Sequence, residues 1–350
     1  MAMREIFSNE SVLLFLTFSG RNGASSRYRV YQYLPYFERA GYTFEVMPPA
    51  EKGRGASRLI SAFKEENRII AAAGRADIVF IQKRLLPVGL IAKLKRLGKK
   101  IVFDFDDSIF TSPRGDWSVT TRRKVEARLK AVIKASDVVI NGNGFLRGYS
   151  EISGAGRVAV IPTAIDTSRY SPKVHGNSPV TLGWVGSSVN HAYIDLLGGA
   201  LPRLSREVPG LKLLVVSDKD YVMEGVVVEN RRWSEETEAK DIMDMDIGLM
   251  PLADDVWTCG KCALKALQYM ACGVPAVCSP VGANMEVIED GVDGFLPGDD
   301  EGWLEALRKL ASSPSLRARM GSAGRLKLEE KYSVTGLWPG YLEVMRSLWD

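Results

Sequence analysis

Short apolar runs alternate with helix-period segments along almost the whole chain, and this alternation is the strongest constraint on its fold. In the first half, strand-like runs fall at 12–18, 42–47, 77–82, 101–105, 137–140 and 158–161. Helical patterns at 27–40, 58–73, 87–97 and 117–135 lie between them. The second half repeats the scheme, with strands at 181–185, 212–216, 226–228, 247–250, 276–279 and 294–296. Its helical patterns are at 193–207, 234–243, 261–272, 283–289, 302–311 and 316–331. Alternating β and α elements build parallel sheets with helices on both faces. Two such series predict an α/β chain of two doubly wound, Rossmann-like domains, in keeping with 350 residues at roughly 100–200 residues per domain. Residues 167–179 are polar, contain Pro172 and Pro179, and read as the linker. The expected domains are 1–170 and 171–335. A final helix over 336–350 carries Trp338, Tyr341, Leu342, Met345, Leu348 and Trp349 at near-helical spacing and is expected to pack back on the body. Parallel sheets bind ligands beyond the carboxyl ends of their strands, so two sheets facing each other would hold a site in the cleft between.

Composition narrows the functional classes. No apolar run approaches the ~18 residues of a membrane span. Glu5 and Glu10 precede the first apolar run, and no small-residue cleavage site follows it closely, so no signal peptide is expected. Four cysteines confined to 259–278 are not a disulfide framework, and a reducing cytoplasm is the expected compartment. The net charge of +4 hides an asymmetry. Residues 1–175 hold 29 Lys and Arg against 16 Asp and Glu, a net of +13, and the remainder holds 17 against 26, a net of −9. The basic stretches 83–100 and 122–134 read either as solvated helix faces or as a surface for anionic lipid headgroups or an acidic acceptor.

The stretch WTCGKCALKALQYMACG (257–273) carries two competing patterns. Cys259 and Cys262 form a C-x-x-C, but C-x2-C-x9-C-x5-C lacks the paired knuckles of structural zinc sites. A redox dithiol at a helix N-terminus is the second reading, and inert packing of buried thiols the third. The other pattern is cationic. Lys261, Lys265 and Gln268 fall at i, i+4 and i+7 of a predicted helix, one face. A helix N-terminus after a parallel strand is an anion site, so the lysines suit a phosphate and Gln268 a ribose hydroxyl. Gly186, Ser187 and Ser188 follow the strand 181–185, where small residues let backbone approach a phosphate.

Asp104, Asp106 and Asp107 crowd the end of another strand. Strand alternation puts Asp104 and Asp106 on one side and Asp107 elsewhere. Three carboxylates together need a cation or hydrogen-bond donors. They suit a functional site in the cleft, with Asp106 and Asp107 as catalytic candidates. They also suit structural pairing with Arg27 or Arg29, or a metal-binding D-x-D. An apolar run into D-x-D resembles aspartate phosphohydrolases of the haloacid dehalogenase type too, although Ser108 stands where Thr or Val is expected. Arg27, after a glycine-rich loop, is a further catalytic candidate. His175 lies in the linker, and His191 opens a helix beside 183–188. No Ser-His-Asp or Cys-His arrangement is evident.

The run Ala271-Cys-Gly273-Val-Pro275-Ala-Val-Cys-Ser279, followed by Glu286-Val-Ile-Glu-Asp-Gly291-Val-Asp-Gly294-Phe-Leu, resembles the C-terminal domain of retaining glycosyltransferases of the two-Rossmann (GT-B) fold, family 4 or a close relative. VAVIPTAID (158–166), Asp137 to Asn143, and Gly20 to Arg27 with Gly23, Ala24 and Ser25 resemble first-domain segments of the same family. The resemblance implies a nucleotide-sugar site in the second domain, including Gly260 and Glu286, and a glycan or lipid-linked acceptor on the first. It implies transfer with retention, no metal and no other cofactor. A soluble cytoplasmic enzyme, peripheral at an anionic membrane, is the expectation, and nucleic acid is not among its expected partners. One departure stands out. The family's two glutamates, with seven residues between them, fall here on Gly260 and Gln268, so a non-catalytic scaffold of the same fold is the alternative, and the phosphohydrolase a third reading.

Overall fold

The structure is a computed structural model that describes residues 11–51, 57–112, 115, 117–176 and 179–349. Glu5, Glu10, Asn177, Ser178 and Asp350 lie outside the described residues. The chain divides into two compact units, residues 1–163 with 337–350, and residues 164–336.

The first unit contains β1 (Val12–Leu16), β2 (Thr43–Met47), β3 (Ile78–Gln82), β4 (Lys100–Phe105), β5 (Val138–Asn141) and β6 (Val158–Val160). They form one sheet in the order β2-β1-β3-β4-β5-β6 with every pairing parallel. Leu13, Phe15, Ile78, Phe80, Ile101 and Phe103 are buried on both sides of the sheet, which is why these strands read as continuous apolar runs. Phe15 packs on Phe37 and Phe80 with ring centroids 5.3 and 5.2 Å apart. The C-terminal helix Val334–Arg346 adds Trp338 and Tyr341 to this cluster, against Phe37 at 4.8 Å and Tyr33 at 4.4 Å.

The second unit contains β7 (Thr181–Val185), β8 (Lys212–Ser217), β9 (Val228–Arg232), β10 (Ile247–Met250), β11 (Ala276–Cys278) and β12 (Gly294–Phe295). Their order is β12-β11-β10-β7-β8-β9, all parallel. Renumbered from β7 this is 3-2-1-4-5-6, the dinucleotide-binding Rossmann order. Leu182, Trp184, Leu213, Leu249, Val277, Leu304 and Leu307 belong to its buried core.

The structure corrects several helix boundaries. The segment 27–40 is not one helix but Ala24–Arg29, a 3-10 turn Tyr31–Tyr33 and Leu34–Arg39, because Pro35 lacks the amide to continue the ladder. The segment 193–207 splits into His191–Asp195 and Leu201–Glu207 around Gly198 and Gly199. A helix at Gly144–Ile152, capped by Asn143 accepting from the Leu146 amide at 2.9 Å, was not expected from the sequence.

Candidate functional site

Each sheet has a topological switch point, the place where its strand order reverses and where ligands bind in this architecture. In the first unit it lies between β1 and β3, and in the second between β7 and β10.

At the first switch point the carboxyl ends of β3 and β4 bring together residues from three parts of the chain. Ser25, in the helix Ala24–Arg29 capped by Gly23, donates to Asp106 at 2.7 Å. Gln82 ends β3 and donates from Nε2 to Ser25 Oγ at 2.8 Å, while its Oε1 accepts from the Phe18 amide and Ser26 Oγ. Lys83 places its ammonium 3.2 Å from Asp106 and in a short ion pair with Asp107. Lys83 is 8% exposed, Asp106 12% and Asp107 23%. Burial by itself would lower the Lys83 pKa, but Asp106 and Asp107 outweigh it and hold it above its ordinary value. Burial would raise Asp106, and Lys83, Arg29 and Ser25 together hold it below the usual carboxylate range. The Lys83 backbone is left-handed, φ 56°, a conformation that costs a side-chain-bearing residue about 1–2 kcal/mol and tends to be retained at functional sites.

Asp104 goes elsewhere. It is fully buried and forms a two-point ion pair with Arg29, whose Nη1 also donates to the carbonyls of Ile161 (2.7 Å) and Pro162 (3.1 Å). Burial would lower the Arg29 pKa, and Asp104, with Tyr341 and Asp106, more than reverses this. The expected split of the three aspartates is therefore corrected. Asp106 and Asp107 share Lys83, because the strand ends at Phe105 and its alternation no longer governs 106 and 107. The pairing reading holds for Asp104, which a bidentate arginine withdraws from nucleophilic work. Arg27 is 3% exposed, with its guanidinium carbon 4.9 Å from the Tyr28 ring centre. Ala24 is exposed on the same helix.

In the second unit Gly186 follows β7. A Cβ there would meet Trp184 at 2.6 Å and Lys265 Cε at 3.0 Å, so the glycine lets Lys265 pack against the strand end, its ammonium 5.4 Å from the Trp184 ring centre. The Gly186 amide donates to Val216 O at 3.0 Å, and the Ser188 amide and hydroxyl donate to Asp218 at 2.6 and 2.9 Å. Two of the three amides expected to be open to a phosphate are thus already committed. These Ser188 bonds, with Ser187, hold the Asp218 carboxyl down at about 2. His191 stands beside this loop, Nε2 3.0 Å from Ser217 Oγ, between the rings of Trp184 and Tyr221. Burial pushes its pKa down.

The helix expected over 261–272 is shortened to Leu264–Ala271 and preceded by a separate short helix, Val256–Cys259, the two joined through Gly260 and a left-handed Ala263. Lys261 lies in the joint, its ammonium 5.3 Å from the Trp257 ring centre, so it does not share a helix face with Lys265 and Gln268. Gln268 is 3% exposed and its amide nitrogen lies 3.5 Å from Tyr170 Oη. Glu286 is exposed on the short helix Asn284–Val287. Gly282, at φ 53°, passes so close to Cys259 that a Cβ would lie 2.8 Å from its carbonyl oxygen. The cysteines are all free. Burial pushes the Cys272 thiol up to about 12 and raises Cys259 and Cys278 also, the opposite of an activated dithiol. Among the described residues no group of three or more His, Cys, Asp or Glu is placed to hold a metal.

Sequence reasoning missed Gln82 and Lys83. The basic stretch 83–100 reads as solvated helix faces or as a surface for anionic headgroups or an acidic acceptor, yet Lys83 at its start is buried. A lysine directly after a buried parallel strand, where ligands bind, was the available signal.

Two six-stranded parallel sheets with these orders define the GT-B fold. Residues 179–313 match the family model "Glycosyl transferases group 1". The chain is 30% identical over 195 residues to a GDP-mannose-dependent alpha-(1-6)-phosphatidylinositol monomannoside mannosyltransferase of Mycolicibacterium smegmatis, covering 47% of this chain and 50% of that one. Sucrose-phosphate synthase from Thermosynechococcus elongatus superposes with a TM-score of 0.75 at 14% identity, covering 97% of this chain and 99% of that one. Anabaena Alr3699/HepE, in complex with UDP and glucose, does so with a TM-score of 0.73 at 16% identity, covering 96% and 100%. The chain spans about half the length, or less, of the curated relatives it matches.

Proposed function

We propose that this chain is a glycosyltransferase that moves a sugar from a nucleotide-sugar donor to a hydroxyl of a glycan or lipid-linked acceptor, with retention and without a metal ion. The observation that carries the reading is Lys265 packed against Gly186 at the switch point of a 3-2-1-4-5-6 sheet, within the segment matched to the family. A fixed ammonium there is suited to the charge that develops on a departing diphosphate. Lys265 sits in the first turn of the helix Leu264–Ala271, whose dipole also favours negative charge at that end. Retention rests on the family resemblance. UDP in Anabaena Alr3699/HepE and GDP-mannose in the mycobacterial relative make these the first donors to test. No helix among the described residues is long and apolar enough to cross a membrane. Peripheral contact with anionic headgroups belongs to the same reading, on the +13 surplus of residues 1–175.

The test is a panel of UDP-, GDP-, ADP- and TDP-sugars read by thermal shift and released nucleotide. One donor should stabilise the protein, and Lys265→Ala should weaken that donor at least about tenfold, the ~1.4 kcal/mol of one lost charge contact. Unchanged affinity in Lys265→Ala would sink the assignment. No shift with any donor would favour the non-catalytic scaffold, which the loss of the glutamate pair at Gly260 and Gln268 also supports. Phosphate release from simple esters, abolished by Asp104→Asn, would favour the hydrolase.

A further inference from the structure

We propose that Glu238 is a positioning residue of the second unit: acting through Tyr170, it fixes which end of the Gln268 amide faces a donor ribose, and it requires the side chain at 268 to be uncharged. The ribose contact rests on the nucleotide-sugar reading above. The coupling of 238 with 268 rests on the geometry of the unit alone.

Three segments meet at the Glu238 carboxyl group. Glu238 opens the helix Glu238–Met243, Trp233 follows β9, and Tyr170 follows the 3-10 turn Thr167–Arg169. Glu238 is buried, and a buried carboxylate is costly unless donors reach it. Each of its oxygens has one. Trp233 Nε1, which can only donate, lies 2.7 Å from Oε2, and Tyr170 Oη donates to Oε1 at 3.1 Å. Arg325 also fixes the Tyr170 backbone, donating from Nη1 to its carbonyl at 2.9 Å.

The hydroxyl of Tyr170 carries one hydrogen, and Glu238 receives it. Toward Gln268 the Tyr170 oxygen therefore accepts, and the atom facing it is Gln268 Nε2, at 3.5 Å. With its nitrogen turned to Tyr170, the amide carries Oε1 on its other branch. Gln268 lies one turn after Lys265 on the helix Leu264–Ala271, a spacing that puts the two on one face, and Lys265 packs against Gly186 at the switch point of the second sheet. A ribose hydroxyl arriving at Gln268 from that face meets a carbonyl oxygen and donates to it.

Charge sets the residue type at 268. A glutamate there would bring a second carboxylate to a hydroxyl whose hydrogen Glu238 already holds. It could not donate to Tyr170, and two carboxylates sharing one buried site repel. Glutamine has the same length, supplies a donor for Tyr170 and keeps one acceptor oxygen. The negative charge of this network thus stands at 238, and the neutral residue at 268 is its consequence.

The experiment is calorimetric titration of the full chain with UDP, GDP and ADP, each beside its 2′-deoxy and 3′-deoxy forms, together with thermal unfolding. Wild type should bind one of these nucleotides more tightly than a deoxy form by about three- to tenfold, the size of one net hydrogen bond. Tyr170→Phe should bring that ratio close to one and leave the affinity of the deoxy form unchanged, which a loss of structure alone would not do. Gln268→Glu should lower both the unfolding midpoint and the affinity. The double variant Glu238→Gln/Gln268→Glu, which moves the charge across Tyr170, should recover both. A folded Tyr170→Phe protein that keeps the ratio, a Gln268→Glu protein as stable and as tight-binding as wild type, or a double variant no better than Gln268→Glu would each overturn the proposal. Should the double variant not fold by circular dichroism, the Tyr170→Phe ratio and the Gln268→Glu protein decide. Wild type that binds none of the nucleotides would refute the nucleotide-sugar reading and the ribose contact with it, and the unfolding midpoints then decide the coupling. Nucleotide binding with a ratio that ignores Tyr170→Phe would refute the contact and leave the nucleotide-sugar reading standing.

Discussion

Replacing Arg29 by methionine should unfold or nearly unfold the first unit. Arg29 and Asp104 are 1% and 0% exposed, and their two-point contact leaves no water to replace a lost partner. Breaking a buried pair from one side typically costs about 3–5 kcal/mol. Arg29 also supplies the donor for the carbonyls of Ile161 and Pro162, and an orphaned buried acceptor costs about 1–3 kcal/mol. The Pro162 bond is only partly buried, so the sum is roughly 4–8 kcal/mol. That is comparable with the whole stability of an ordinary domain, about 5–15 kcal/mol. At roughly 2–4 °C per kcal/mol for a unit of this size, the midpoint should fall by about 10–30 °C. Asp104→Asn keeps an acceptor oxygen and both carbonyl contacts, so it should cost less. The double variant Arg29→Met/Asp104→Leu removes both charges but still strands the carbonyls. It should recover the pair component and leave a deficit of about 1–3 kcal/mol. The assay is thermal and urea unfolding, with hydrogen exchange on β1 and β4 peptides to isolate the first unit, since two units need not unfold as one. An Arg29→Met loss below about 1 kcal/mol, or a double variant no better than Arg29→Met, would refute the accounting.

Other consequences concern the second unit. Gly186→Ala puts a methyl 2.6 Å from Trp184, which is buried in the core, and 3.0 Å from Lys265. It should cost about 1–3 kcal/mol and weaken donor binding together, and calorimetry showing wild-type affinity at lowered stability would separate Lys265 from the site. Asp218 is held at about 2 by Ser188, below the ordinary ~3.9 of a carboxyl. Its contribution is present above the ordinary value and lost as pH falls through about 2. Asp218→Asn should therefore lower the unfolding midpoint near neutrality and converge on wild type at the acid end. Curves that run parallel across this window would reject the role.

How much was legible depended on the range of the interaction. Strand runs such as 77–82 and 101–105 carry their burial in their own composition, and β3 and β4 lie where those runs do. The late start of the helix expected over 261–272 was not legible, because it follows from the left-handed Ala263 and from the close pass of Gly282, twenty-three residues on, over Cys259. The attraction of the C-x-x-C was likewise local. Burial raises the Cys259 thiol and Cys262 is buried, and burial is set by neighbours brought in from elsewhere in the chain.

The sequence by itself determined the α/β alternation, the two parallel sheets and the crowding of aspartates at one strand end, since hydrophobic periodicity and strand ends are properties of contiguous residues. Only the tertiary structure decided which aspartate serves which purpose. Lys83 is 21 residues from Asp104 along the chain and Arg29 is 75 away. Parallel crossover connections bring both to the same sheet end, and there Arg29 takes Asp104 out of reach while Lys83 pairs with Asp106 and Asp107. Ion pairing at that separation is a matter of distance in space, which no local pattern encodes.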